Sequence, residues 1–207
     1  MTSWQVKSRN GIWLPQIDWW LDAHRPAPRS VISHAHADHV ARHGEVICTP
    51  ATAALIRTRD PSFRGQPQEV EFNTPIHLTP SSTLTLVPAG HVLGSAQALI
   101  EHSDWGRLLY TGDFKLRPSP TVETCATPPA DTLIMETTFA RPHYRFPAPA
   151  EVFAQVIAFC HDTLAAGQIP ILLGYSLGRS QEILHGLRAA DFPITRDTTI
   201  CFVLSKK

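Results

Sequence analysis

Residues 33–40 read SHAHADHV, which sets His34, His36, Asp38 and His39 inside six positions. Few backbones can use such a cluster. His34 and His36 are two apart, so an extended strand end points both rings to the same side. Asp38 and His39 follow after a turn and can face a second point nearby. Neutral imidazole and carboxylate are ligands that divalent zinc, manganese and iron accept. The alternative is a solvated, histidine-rich loop.

Two later segments repeat the placement. PAGHVLGSAQ (88–97) puts His91 at the end of an apolar strand, between glycines that let backbones approach closely. LLYTGDF (108–114) puts Asp113 at the C-terminal tip of another apolar strand. Taken alone, His91 is a turn residue and Asp113 a cap. Taken in order, the three strand ends build one pocket.

The remainder reads as a layered α/β domain. RSVIS (29–33), GEVICT (44–49), TLTLVPA (83–89), AQALIE (96–101), RLLYTGD (107–113) and the buried-type DTLIMET (131–137) are strands bounded by Gly, Pro and Ser. ATAALIRTR (51–59) is a short helix. In AEVFAQVIAFCHDTLAAG (150–167), Val152, Val156, Cys160 and Leu164 recur at helical spacing, and Gly167 supplies a stop. IPILLGYS (169–176) is a strand and SQEILHGLRAA (180–190) a helix. Proline-rich runs at 118–129 and 142–149 are surface loops.

Composition narrows the function classes. Eighteen basic and eighteen acidic residues cancel among 207, so no uniformly basic coat grips nucleic acid by charge alone. Four cysteines lie far apart with no CxxC pair, which fits a reducing cytoplasm rather than a disulfide framework. No stretch approaches the roughly 18 apolar residues of a membrane span. The expectation is a cytoplasmic protein with no membrane partner.

SHAHADH, GHVLGSA and YTGDF resemble the successive metal-binding motifs of the metallo-β-lactamase fold, an αββα sandwich. The resemblance implies two divalent cations, zinc or manganese: His34, His36 and His91 holding one, Asp38 and His39 the other, with Asp113 bridging. Asp22 in WWLDAH sits where the family often has a supporting Asp, or is an ordinary turn residue. LIMETTFARPHYRFP (133–147) and GYSLGRSQEIL (174–184) resemble segments of the β-CASP nuclease branch, with Ala140 in place of the usual Gly. That branch includes ribonuclease J, the endonuclease of mRNA 3′-end formation and the crosslink-repair exonucleases. The resemblance covers about residues 10–190 and is nearest to bacterial 3′-end-processing-like or DNA-ligase-associated exonucleases.

The activity implied by this resemblance is that of a phosphodiesterase acting on RNA or single-stranded DNA through a hydroxide held by two metals. Asp38 would orient that hydroxide, and Glu136 would support the histidine that protonates the leaving oxygen. Arg141, Ser176 and Arg179 are candidates for phosphate contact; a solvated loop and simple helix capping are their plain alternatives. The resemblance also implies a late histidine that completes the second site, and no histidine here has its setting. The chain is therefore expected to be the N-terminal part of a nuclease, with a domain at 1–168 and an incomplete β-CASP-like domain at 169–207. Its partners would be a missing C-terminal half, a DNA ligase or a helicase. The competing functions are a thioester or lactone hydrolase of the same fold, and a scaffold without catalysis.

Overall fold

A computed structural model describes residues 3–190, 192 and 201–205, the last as backbone alone. The chain divides into two compact units, 1–136 and 137–207.

In the first unit, β1 (Lys7–Ser8), β2 (Ile12–Leu14), β3 (Trp19–Leu21), β4 (Arg29–Val31), β5 (Glu45–Cys48) and β6 (Gln68–Glu69) form one sheet in that order. Its first two pairings are antiparallel and the rest parallel. The second sheet is built from β7 (Pro75–Thr79), β8 (Ser82–Pro88), β9 (Ala96–His102), β10 (Gly106–Tyr110) and β11 (Thr132–Ile134), also neighbours in sequence order. Only β10 and β11 pair parallel there.

Alternation along the strands decides which face is apolar. Leu84, Ile100 and Leu108 are directly opposite one another across β8, β9 and β10, and all three are fully buried. They share one core with Leu14, Leu21, Val31 and Ile47 of the first sheet, so the two sheets pack face to face. Each such side chain contributes about 1.5–3 kcal/mol on burial.

Strand direction places the functional loops. β8 and β10 both run antiparallel to β9, and β11 runs parallel to β10, so all three leave the second sheet at one edge. The chain passes from those ends to His91, Asp113 and Glu136. The parallel β3 and β4 leave the first sheet towards Asp22 and His34. Ala96 N–H donates to Ser33 O at 2.8 Å and ties the two edges together. After β5 the chain enters α1 (Pro50–Arg59), capped by Thr49, whose hydroxyl accepts from Thr52 N–H, with Pro50 in the first turn.

The second unit holds α2 (Pro149–Ala165), β12 (Ile171–Tyr175), α3 (Arg179–Ala189) and β13 (Cys201–Ser205), the two strands pairing parallel. Its core joins Cys160, Leu187 and Phe192 with Val156, Leu164, Leu172 and Ile183.

The mixed α/β class matches the sequence reading, while several particulars differ. The two compact units divide at 136/137, and the apolar face of α2 belongs to the core it shares with α3 and β12. The strand at 132–134 is not of buried type: Leu133 is 55% and Met135 46% exposed. Among the described residues β11 is an edge strand, with β10 as its neighbour. Val152 is exposed because the core of α2 begins one turn later, at Val156. The described cysteines, Cys48, Cys125 and Cys160, are free thiols. Among the described residues no helix is long and apolar enough to cross a membrane.

Candidate metal centre

The loop after β4 carries His34 and His36, and a 3₁₀ turn at Ala37–His39 then swings Asp38 and His39 round. His34 Nε2 lies 2.9 Å from His36 Nδ1, and His91 Nε2 lies 3.2 Å from the same His36 nitrogen. Asp113 faces this trio with one oxygen, Oδ2 being 3.8 Å from His34 Nε2 and 3.6 Å from His91 Nε2. Its other oxygen, Oδ1, is 3.7 Å from His39 Nε2, which is itself 4.0 Å from Asp38 Oδ2. The six residues singled out in the sequence thus meet in one place.

Asp22 organises the cluster from beneath. It is 2% exposed and accepts four hydrogen bonds: Ser33 N–H at 2.7 Å, Ser33 O–H at 2.6 Å, His39 Nδ1–H at 2.8 Å and Tyr110 O–H at 2.9 Å. Because the Ser33 hydroxyl gives its proton to Asp22, its oxygen can only accept from His34 Nδ1, 2.9 Å away. The network therefore assigns the ring protons of His34 and His39 to Nδ1 and leaves each Nε2 lone pair aimed at the cluster. Gly112 allows the approach of the Asp113 segment: at its φ of +52° a Cβ would meet Ser33 Oγ at 2.7 Å.

The local field separates the histidines. Burial, and then the neighbouring His39, His91 and His36, hold His34 well below its ordinary value. Burial, with His36 and His39, lowers His91 to about 4. Their approaches to Asp113 are thus contacts of neutral imidazoles rather than ion pairs. For His39 burial also works against charge, but the hydrogen bond and charge of Asp22, with Asp113 and Asp38, raise it. Asp113 is raised, by burial first and with Glu136 and Asp22 adding, against the pull of His39.

This donor set fits a divalent cation. His34, His36, His91 and Asp113 each offer one ligand atom, all within 4.8 Å of one another. A tetrahedral site with bonds of about 2.0–2.1 Å has ligand–ligand edges of about 3.4 Å. The separations here, from 2.9 to 3.8 Å, bracket that value. Neutral imidazole is the form that ligates. Asp22, His34 and His39 also stand close together, but the lone pairs of Asp22 are taken by its four donors.

A cleft of about 420 Å³ opens over the centre, lined by Asp22, His24, His39, Tyr110, Asp113 and Glu136, with the β1–β2 turn on its rim. The Asp38 side chain is 70% exposed, and its carbonyl accepts from His24 Nδ1 at 3.2 Å. Glu136 lies at the end of β11 and its N–H donates to Thr111 Oγ1 at 3.4 Å. The remaining sequence candidates belong to the second unit. Arg141 is exposed in the loop before α2, Ser176 lies in the turn after β12, and Arg179 is the exposed first residue of α3. Sequence reasoning misses Ser33 and Tyr110. The only sequence signal for them is their position next to His34 and at the end of β10.

No protein-family model matches the chain. It is 51% identical, over 92% of its length, to 19% of a probable DNA ligase of Opitutus terrae. It is 28% identical, over 74% of its length, to 42% of an RNase J-like protein of Methanocaldococcus jannaschii. It shares 28% identity over 74% of its length with 16% of the DNA cross-link repair 1A protein of Mus musculus. The chain thus spans less than half of each of these relatives. These likenesses support the metallo-β-lactamase-fold family, whose motifs the SHAHADH, GHVLGSA and YTGDF segments resemble.

Proposed function

We propose that this chain is a metal-dependent phosphodiesterase that cleaves nucleic acid. The observation that carries the reading is the division of Asp113. One of its oxygens faces His34 and His91, and the other faces His39 beside Asp38. His34, His36, His91 and Asp113 would hold one cation, and Asp38, His39 and Asp113 a second, with zinc or manganese suiting the nitrogen and oxygen donors. Cations bound there would supply Lewis acidity for phosphodiester hydrolysis at neutral pH.

The protein's own groups do the rest. Asp22 and Ser33 fix the ring protons on Nδ1 and so keep the Nε2 lone pairs inward. Asp38, whose side chain is exposed beside His39, accepts a hydrogen bond from the attacking water and orients it towards phosphorus. Glu136 is the candidate for supporting the group that protonates the leaving oxygen, and Arg141, Ser176 and Arg179 are the candidates for phosphate contact. The αββα arrangement and a β-CASP-like second domain belong to the same proposal. The names of the relatives support nucleic acid, DNA or RNA, over a thioester or lactone, with a DNA ligase as one candidate partner.

Metal analysis of the wild type beside His36→Ala and Asp113→Ala, with cleavage assays on labelled DNA, labelled RNA, a thioester and a lactone, tests this. The expected result is reduced metal content in both variants and cleavage of an oligonucleotide. Equal metal content in all three chains, or turnover of the lactone or thioester alone, sinks the reading.

A further inference from the structure

We propose that α1 is a strut that sets the spacing of the two histidine-bearing loops, with Thr52 and Arg59 as positioning residues for the metal centre. The proposal rests on the metal-centre reading above.

The two ends of α1 hold different loops. At its N-terminal end, Thr49 O–H donates to Gly94 O at 2.7 Å and Thr52 O–H donates to the same carbonyl at 3.0 Å. Gly94 belongs to the turn that carries His91. Ser95 Oγ closes this turn by accepting from His91 N–H at 3.0 Å and from Val92 N–H at 3.1 Å. The fit is tight: at the Gly94 φ of +74° a Cβ would meet Ala51 Cβ at 2.5 Å and Thr52 N at 3.0 Å. At the C-terminal end, Arg59 Nη1 donates at 2.8 Å to the carbonyl of Ala35, the residue between His34 and His36.

A helix is the stiffest connection the chain has. The ten residues of α1 contain no glycine, and their proline sits in the first turn, where it does not interrupt the ladder. At 1.5 Å per residue the helix spans about 15 Å between its two anchor points. Both carbonyls are therefore referred to one rigid body. The further tie, Ala96 N–H to Ser33 O at 2.8 Å, fixes the strand ends, and Gly94 N–H also donates to Glu123 Oε2 at 3.0 Å, so the helix shares the hold on segments 34–36 and 91–94. Thr49 and Thr52 are 2% and 0% exposed, so water does not compete for these bonds. The 3.2 Å approach of His91 Nε2 to His36 Nδ1 then depends on where α1 lies. None of the three anchoring side chains needs to touch a metal to affect it.

The test reads the histidines directly. Ring-nitrogen NMR signals of the metal-free full chain are compared for wild type, Arg59→Ala and Thr52→Val, followed by titration with cobalt(II) monitored by absorbance. Arg59→Ala is expected to shift the His34 and His36 signals, and Thr52→Val those of His91. Each is expected to weaken cobalt binding by about 10–100-fold, the usual effect of removing an outer support. Thr52→Ser, which keeps the hydroxyl, should restore both readouts. If either first variant fails to fold, Arg59→Gln and Thr52→Ala replace them. Ring signals and cobalt affinity unchanged in both variants overturn the strut. A wild type that binds no cobalt, but whose ring signals still move in the variants, removes the metal-centre reading and leaves the strut standing.

Discussion

His39 Nδ1 donates to Asp22 Oδ2 at 2.8 Å, and Asp22 is itself held at a φ of +48°. That backbone region tolerates Asp or Asn but not bulky side chains. Asp22→Asn therefore keeps the turn and changes the chemistry. An amide has one acceptor oxygen, and it brings two donors to a place where Ser33, His39 and Tyr110 already donate. Metal affinity, measured by chelator competition, should fall about 10–100-fold. An unchanged affinity would reduce Asp22 to an ordinary turn residue.

Ile100 stands between Leu84 and Leu108 at the middle of the second sheet, and all three are fully buried. Ile100→Ala should cost about 2–5 kcal/mol in urea unfolding, since the neighbouring strands cannot collapse into the space. Leu133→Ala, on the 55% exposed edge position, should lie within about 0.5 kcal/mol of wild type. Similar losses for both would mean the two sheets do not share one core.

The difference between those two apolar strands also marks what the sequence could reveal. Apolar runs with turn residues between them are enough to find β4, β5, β8, β9, β10 and all three helices. They do not distinguish the centre of a sheet from its edge, so DTLIMET reads as buried although Leu133 and Met135 are exposed. β1, β2 and β3 are two or three residues long, too short to show a period. The histidine–aspartate cluster was legible because His34, His36, Asp38 and His39 are rare types at tight spacing. The support of Asp22 was not, since it arises from Ser33 and Tyr110, 11 and 88 residues away. The split at 136/137 depends on which core α2 joins, a choice that its own periodicity leaves open.

Burial of neutral histidines gives the metal-free chain a pH signature. His91 is lowered from 6.5 to about 4. As pH falls through that window the unfolded chain takes up a proton there and the folded chain does not, so stability is lost. His34 acts in the same direction, whereas His39 and Asp113, both raised, act oppositely. The informative comparison is thus wild type against His91→Gln. The thermal midpoint of the variant should fall less steeply between about pH 6.5 and 4. Parallel curves would mean that His91 is solvated and outside the cluster.

Asp38 and Arg141 separate chemistry from binding. Asp38 lies beside the cluster, its exposed carboxylate 4.0 Å from His39 Nε2. Arg141 is an exposed residue of the second unit. A group that orients the attacking water acts in the transition state, whereas an arginine at a phosphate contributes similarly before and during reaction. Asp38→Ala should therefore lower kcat on an oligonucleotide by about 10²-fold or more, as loss of a positioned catalytic group does. Arg141→Ala should mainly raise KM. The same pair assayed on bis-p-nitrophenyl phosphate, which offers no polymer backbone to grip, should keep the Asp38 defect and lose the Arg141 one. A KM effect at Asp38 with a kcat effect at Arg141 would place the orienting group elsewhere.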